Sequence, residues 1–508
     1  MSLRERYDTL DGNRSSNLHR ARLYASTTIP SLLPREGVTD QQELPHPYSS
    51  VAAKGITGMA SKMLGAMLPL NDMPFFQLGL KNGQKPTNEE KQYLEQIAHQ
   101  VHSKLTSKNL RDALFQALKY LITVGDCLVT LEDDYKVRIT RIDHYVVVRN
   151  ILGDVKEIIY LDFKIKEDSE LHTVGQAFPD KNEDWAYDIF FNQVAYNEET
   201  RQWDFKRENS KGESIDTGTY LPHAMPFAAA RWTAIPGEHY GRSYVEENFG
   251  DIVSLEAYTE ALMESLSAAS TWWPAVNVYG PTELRDVADK PNGSWIAGRP
   301  EDIFVVSPAN TMQSQIKSAF DAVETMRRQV AAAFLDAQGQ VRHAERVTAA
   351  EIRLLGQELE QVLGGAFSAI ASDLFVPLVR RTIYLMIENG ELDERMSMEL
   401  FGEDGLFDID IITGLQALSR DNDLVKLMQM GDMMRNLPPE AAQAFKWDEY
   451  GKALITALGM DPMNWVKSQE EMQAEQGQQA AQQAAAQGLG SGIEQAAAGA
   501  AQQLTGTE

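Results

Sequence analysis

The chain has 508 residues, a formal net charge of −26 and one cysteine, Cys127. That charge argues against tight nucleic-acid binding, whose affinity comes from lysine and arginine on phosphate. Acidity of this kind also serves plain solubility, so charge alone decides no function. A lone thiol excludes an intrachain disulfide and fits folding in a reducing cytoplasm.

No apolar segment follows Met1, so no secretory leader is expected. Arg4 to Ser26 reads as a polar helix ending before Ile29-Pro30. Val51 to Leu70 is the most lipid-like stretch, but Lys54 and Lys62 interrupt it, and a span needs about 20 uncharged residues. A packed helix is expected there, and no membrane partner. Asn88 to Val124 repeats Tyr93, Ile97, Val101, Leu105, Leu114 and Leu118 at helical spacing. His99 and His102 lie within it with no third ligand nearby, so they read as surface histidines rather than a metal pair. From Cys127 the period shifts toward two, through Leu128–Leu131, Val137–Ile139, Tyr145–Val148, Ile158–Leu161, Ile189–Phe191 and Trp203–Phe205. Asp133-Asp134 and Gly153-Asp154 punctuate the run, so a small sheet or barrel is expected to about residue 232.

After Pro236-Gly237 the helical period returns at Val245, Phe249, Ile252, Leu255, Tyr258, Leu262 and Leu266. That predicts a rod of about 42 Å at the α-helical rise. A second rod opens near Thr311 and carries Met312, Ile316, Ala319, Val323, Met326, Val330 and Phe334, for about 37 Å. Between the rods Trp272, Trp273 and Pro274 break the helix. Ala275–Tyr279, Ser294–Ile296 and Ile303–Val306 alternate like strands, which predicts a small strand-rich tip. A polar loop, Asp336 to Arg346, centres on Gly339. Thr348 and Glu351 then form a capping box opening a third helix, with Pro377 inside it and a stop at Asn389-Gly390. Further helices are expected near Asp421–Asn436 and Phe445–Leu458, before an alanine- and glutamine-rich tail from Gln469 that is disordered or helical. The fold class is α+β, mainly helical. Rods of this kind stand side by side in a ring around a channel, although periodicity alone also permits an antiparallel hairpin inside an ordinary helical domain.

Catalytic motifs are weak. Gly293 to Pro300 has glycines spaced like a phosphate loop but lacks its Lys and Ser/Thr, and no second glycine completes a nucleophile elbow around Ser243. Asp408 and Asp410 suggest a Mg²⁺ pair of a nuclease, yet the alternation from Leu406 to Ile412 fits an edge strand better. No catalytic, cofactor or metal site is expected.

Several separated motifs do carry a resemblance. They are Tyr240 to Tyr244 (Y-G-R-S-Y) followed by Glu246-Glu247, Ala297 to Asp302 (A-G-R-P-E-D), and Glu345 to Arg353 (E-R-V-T-A-A-E-I-R). Tyr24 to Leu32 and Gly58 to Leu64 add two more near the start. Together, over about residues 20–460, they resemble the portal proteins, or head-to-tail connectors, of short-tailed bacteriophages. The resemblance implies a ring, usually of twelve copies, at one capsid vertex of the virion, assembled in the host cytoplasm. It implies a wing at 1–242, stem helices at 243–270 and 311–335, a clip at 271–310, a tunnel loop at 336–346, a further wing portion at 347–412 and a crown at 413–468. The tail at 469–508 lies outside it. Implied partners are double-stranded DNA in the channel, the terminase large subunit, a tail adaptor, capsid and scaffolding proteins, and internal core proteins. On this reading Gln338, Gly339, Gln340, Arg342 and His343 face DNA, and Trp272, Trp273, Trp295 and Arg299 form the clip's partner interface, though each tryptophan serves a core as readily as an interface. A virion scaffold or adaptor without a DNA channel is the alternative.

Overall fold

A capping box opens the chain. The Ser2 hydroxyl accepts the Glu5 N–H, and the Glu5 carboxylate accepts the Ser2 N–H. Helix α1 (Leu3–Asn13) follows, then α2 (Ser15–Thr27). The two part at Arg14, a buried arginine that ion-pairs with Asp11 and donates to the Ile142 carbonyl. The computed structural model describes residues 2–34, 44–68, 74–80, 88–165, 187–270, 308–335, 365–392 and 407–411, with shorter pieces within 273–306 and 427–454. They fall into two compact units, Met1–Gly414 and Leu415–Glu508.

The described residues of the first unit form three cores. The largest gathers α3 (Val51–Met67), β1 (Phe76–Leu80), α4 (Asn88–Thr106), α5 (Leu110–Val124) and β2 (Asp126–Leu131) around residues such as Ile56, Met59, Ile97, Leu114 and Val129. Strand β3 (Val137–Thr140) pairs with one edge of β2, and β9 (Phe227–Arg231) with the other. The lipid-like stretch is therefore α3, packed in this core, and no described helix is long and apolar enough to cross a membrane. His102 differs from the surface position expected of it. It is 6% exposed, with its ring 5.6 Å from that of Phe75, because it lies one residue from Val101 on the buried stripe of α4.

The β-rich region is a five-stranded antiparallel meander, β4 (Tyr145–Arg149), β5 (Val155–Ile165), β6 (Tyr187–Asn197), β7 (Gln202–Asn209) and β8 (Ser214–Tyr220). Both faces of β4, β5 and β6 are covered. Val146, Ile159, Leu161, Ile189 and Phe191 pack on Leu3 and Tyr7 of α1. Their neighbours Tyr145, Val147, Ile158, Tyr160 and Val194 pack with Leu18, Ala21 and Ala25 of α2. Period-two alternation sends adjacent residues to opposite faces, so an unbroken apolar run such as Tyr145–Val148 belongs to a sheet buried on both sides. The one polar helix expected over Arg4–Ser26 is instead two half-buried helices on opposite faces, and Arg14 marks the crossing. Strand β8 was not legible in the sequence. Ser214 to Gly218 are exposed, so no apolar alternation marks them.

The hairpin that follows begins with a short helix α6 (Tyr244–Glu247) and continues as α7 (Phe249–Ser270). The continuous rod expected from Val245 is broken at Asn248, whose side chain donates to the Tyr244 carbonyl. Strands β10 (Trp273–Val276) and β11 (Ile303–Val306) pair antiparallel, and α8 (Pro308–Ala333) returns. Strand β10 starts earlier than Ala275 because Trp273 and Pro274 already pair with Val306 and Val305. Helix α8 starts earlier than Thr311 because Pro308 fits a first helical position, where its missing N–H costs nothing. The third helix, α9 (Gly365–Glu388), contains Pro377 and ends at Gly390, φ +68°. There the Glu391 N–H reaches the Met386 carbonyl and the Gly390 N–H that of Ile387, which satisfies the last turn. Strand β12 (Phe407–Ile411) pairs with β1. In the second unit, residues 427–431 are helical and the Tyr450 hydroxyl donates to the Leu427 carbonyl at 2.8 Å.

Candidate functional site

Helices α7 and α8 run antiparallel. The Tyr244 hydroxyl, before α7, donates to the Ala333 carbonyl at the end of α8 at 2.6 Å, while β10 and β11 join the far ends. The two helices are 22 and 26 residues long, or about 33 and 39 Å of rod. Among the described side chains of this pair, the buried apolar residues are Ile252, Leu255 and Leu262 of α7 with Val330 and Ala331 of α8. Val253, Tyr258, Met263, Leu266 and Phe320 stand in solvent.

The root of the hairpin is fixed more tightly than its shaft. Phe334, beyond α8, seats its ring 5.6 Å from that of Tyr244 and fills the space over Gly55, where a Cβ would come within 2.6 Å of the Phe334 Cβ. Leu335 follows in a left-handed conformation, φ +57°, and its carbonyl accepts from the Lys62 ammonium. On the other side Gly241 meets Gly125, the left-handed C-cap of α5, and a Cβ on Gly241 would stand 2.6 Å from the Gly125 oxygen. The buried Asp126 carboxylate accepts the Gly241 N–H at 2.8 Å. Arg242 bridges Glu238 and Glu246 at 2.6 Å each, and the Ser243 hydroxyl accepts the Glu246 N–H at 3.0 Å as N-cap of α6. Burial pushes the Asp126 carboxyl up to about 7, against the pull of Arg149, the Gly241 N–H, Arg231 and Arg14. The run Tyr240 to Tyr244 is thus a structural joint. Ser243, weighed as a nucleophile, is fully buried and caps a helix.

The other sequence-predicted residues separate into three groups. Gln338, Gly339, Gln340, Arg342 and His343 lie outside the described residues, as does the capping box at Thr348; the segment holding the loop residues starts from the anchored Leu335. Trp272 also lies outside them. Trp273 begins β10, while Trp295, 97% exposed, and the exposed Arg299 sit on the same connection between α7 and α8, joined there by Tyr279, also 97% exposed and not singled out by sequence. The strand expected over Ser294–Ile296 is described only at Trp295. Asp408 and Asp410 lie in β12, opposite Gly79 and Gln77, and flank the buried Ile409. Among the described residues no three His, Cys, Asp or Glu gather as metal ligands. The root joint at Gly125, Asp126 and Phe334 was missed, because nothing local in the sequence says that residues more than a hundred positions apart will touch.

A long helical hairpin with a sheeted tip is thus locked at its root to a mixed helix-and-strand body, and no catalytic centre is indicated among the described residues. The family model for bacteriophage head to tail connecting protein matches residues 1–464, and the chain belongs to that family. It is similar to the portal protein of Enterobacteria phage T3, 29% identical over 97% of this chain and 91% of that one. The portal protein of Escherichia phage T7 is 28% identical over 93% of this chain and 90% of its own length. That of Enterobacteria phage SP6 is 26% identical over 98% and 96%. A solved chain described as the neck of an empty GTA particle computed with C6 symmetry aligns over 82% of this chain and 91% of its own, at 12% identity and a TM-score of 0.37, too distant to support an argument.

Proposed function

We propose that the chain is a portal subunit: copies form a ring at one capsid vertex, whose channel admits double-stranded DNA during packaging, retains it and releases it at infection. The observation that carries this is the α7–α8 hairpin, rooted in the body yet leaving Val253, Tyr258, Met263, Leu266 and Phe320 exposed, in a chain of the connector family. Copies that align their hairpins around an axis cover those exposed side chains. The strand-rich tip with Trp273, Trp295 and Arg299, together with Trp272, is the docking platform for the terminase and later the tail adaptor. Tyr279 and Trp295 support this, because exposed aromatics are frequent interface anchors. The loop with Gln338, Gly339, Gln340, Arg342 and His343 faces the DNA and grazes its backbone without reading bases. Packaging energy comes from the separate terminase.

Mass photometry and negative-stain imaging of the purified protein test the reading together. Rings with a central hole support it, and a protein that stays monomeric at every concentration and inside particles ends it. Closed assemblies without a hole point instead to the scaffold.

A further inference from the structure

The turn between β4 and β5 carries Ile151 and Leu152 at its corners, 80% and 83% exposed. Folding does not ask for them. Gly153, φ +96°, supplies the left-handed position, and Asn150 with Asp154 closes the turn. The turn is also held still. The Asn150 N–H donates to the Asp154 carbonyl at 2.9 Å, the Gly153 N–H to the Asn150 carbonyl at 3.0 Å, and Arg149 Nη1 to the Gly153 carbonyl at 3.0 Å. Two aliphatic side chains on a preorganised turn lose little freedom on docking, which is the property of an interface anchor.

The foot of this tip leans positive in a chain of net charge −26. Arg149 donates to the carbonyls of His239, Gly153 and Ala229, and Arg231 packs against Gly153 and donates to the Glu238 carbonyl. Burial raises the pKa of Asp126 and Asp373, the carboxylates in reach of Arg149, and the exposed carboxylate of the turn's own Asp154 is engaged by the Asn150 amide at 2.9 Å. Through His239 and Arg231 the tip stands beside Gly241, just before the Ser243 N-cap of α6.

The complementary surface lies on the same chain. Val253, Ala257, Glu260 and Glu264 are exposed and spaced four, three and four, so they share one face of α7. Tyr48 sits there too, 56% exposed, its N–H on the Glu256 carboxylate at 2.8 Å and its hydroxyl bonded to Glu260. The result is a small apolar floor rimmed by carboxylates. Aliphatic tip and basic foot match apolar floor and acidic rim. Because tip and floor are different surfaces, the contact repeats head to tail, as ring closure requires.

We propose that the Ile151–Leu152 tip of one copy docks on the Tyr48, Val253 and Ala257 floor of the next copy. This rests on the ring reading above and names one of its contacts. The test compares the wild-type chain with the double variant Ile151→Ser, Leu152→Ser by mass photometry across a concentration series. Both positions are exposed, so the thermal midpoint should hold while the concentration for half-assembly rises at least about tenfold. In a second arm, Leu152→Cys combined with Ala257→Cys is oxidised. A ladder of covalent multimers supports the docking; a dimer formed through Leu152→Cys alone signals tip-to-tip contact and overturns it. Wild-type rings with unchanged assembly of the serine variant and no ladder also overturn it, leaving the ring reading intact. A wild-type chain that forms no ring defeats both.

Discussion

Asp126 sits where α5 hands over to β2, and its carboxylate holds the backbone that starts the hairpin. A carboxyl raised from 3.8 to about 7 in the fold binds more protons folded than unfolded. Its contribution therefore favours the fold below 3.8 and declines as pH rises through that interval to about 7. Asp126→Asn keeps an acceptor for the Gly241 N–H and removes the charge. Thermal midpoints across that window should show a flatter pH profile for the variant, and an unchanged profile would show that Asp126 does not titrate there. Gly241→Ala is a steric test of the same joint. A Cβ 2.6 Å from the Gly125 oxygen meets backbone that cannot rotate away, so a loss of about 1–3 kcal/mol is expected in a denaturant melt. The glycine and serine of the Tyr240–Tyr244 motif were visible in the sequence, but their reason was not. Gly241 is required by Gly125, 116 positions earlier, as the difference of their numbers gives.

At the scale of elements, the hairpin was the most legible part of the chain because its apolar residues recur at three and four over both rods. Its interruption at Asn248 escaped notice, since the apolar period runs across the break from Val245 to Phe249 undisturbed. Phe334 joins the hairpin to α3, and Phe334→Ala should cost about 3–5 kcal/mol by leaving a cavity over Gly55. Limited proteolysis would then cut near the root first; cleavage elsewhere, with wild-type stability, would contradict that role. The loop gives the functional counterpart. Deleting Gln338 to His343 should leave assembly intact and impair packaging or DNA retention, read as the DNA content of purified particles. Particles that fill and hold genomes normally would remove the loop from the DNA path.

For the whole molecule, charge and shape act together. A chain of net charge −26 has no electrostatic reason to grip a duplex. Fluorescence anisotropy with a short duplex at physiological salt should show binding no tighter than about 10⁻⁴ M, the weak end of non-specific association. Tight, steeply salt-dependent binding would instead describe a DNA clamp. The body has a design of its own: α1 and α2 cover opposite faces of β4, β5 and β6, so these strands are buried on both sides within one copy.

The order of rods, tip and third helix follows from the sequence alone, because helical and strand periods are local properties that survive without tertiary context. The family motifs are local as well. Only the folded chain decides that Arg14 divides two helices, that His102 is buried, that Gly125 and Gly241 touch, and that Ile151 and Leu152 remain in water. Each depends on which distant backbone comes within a few ångströms, and side-chain period carries no record of that.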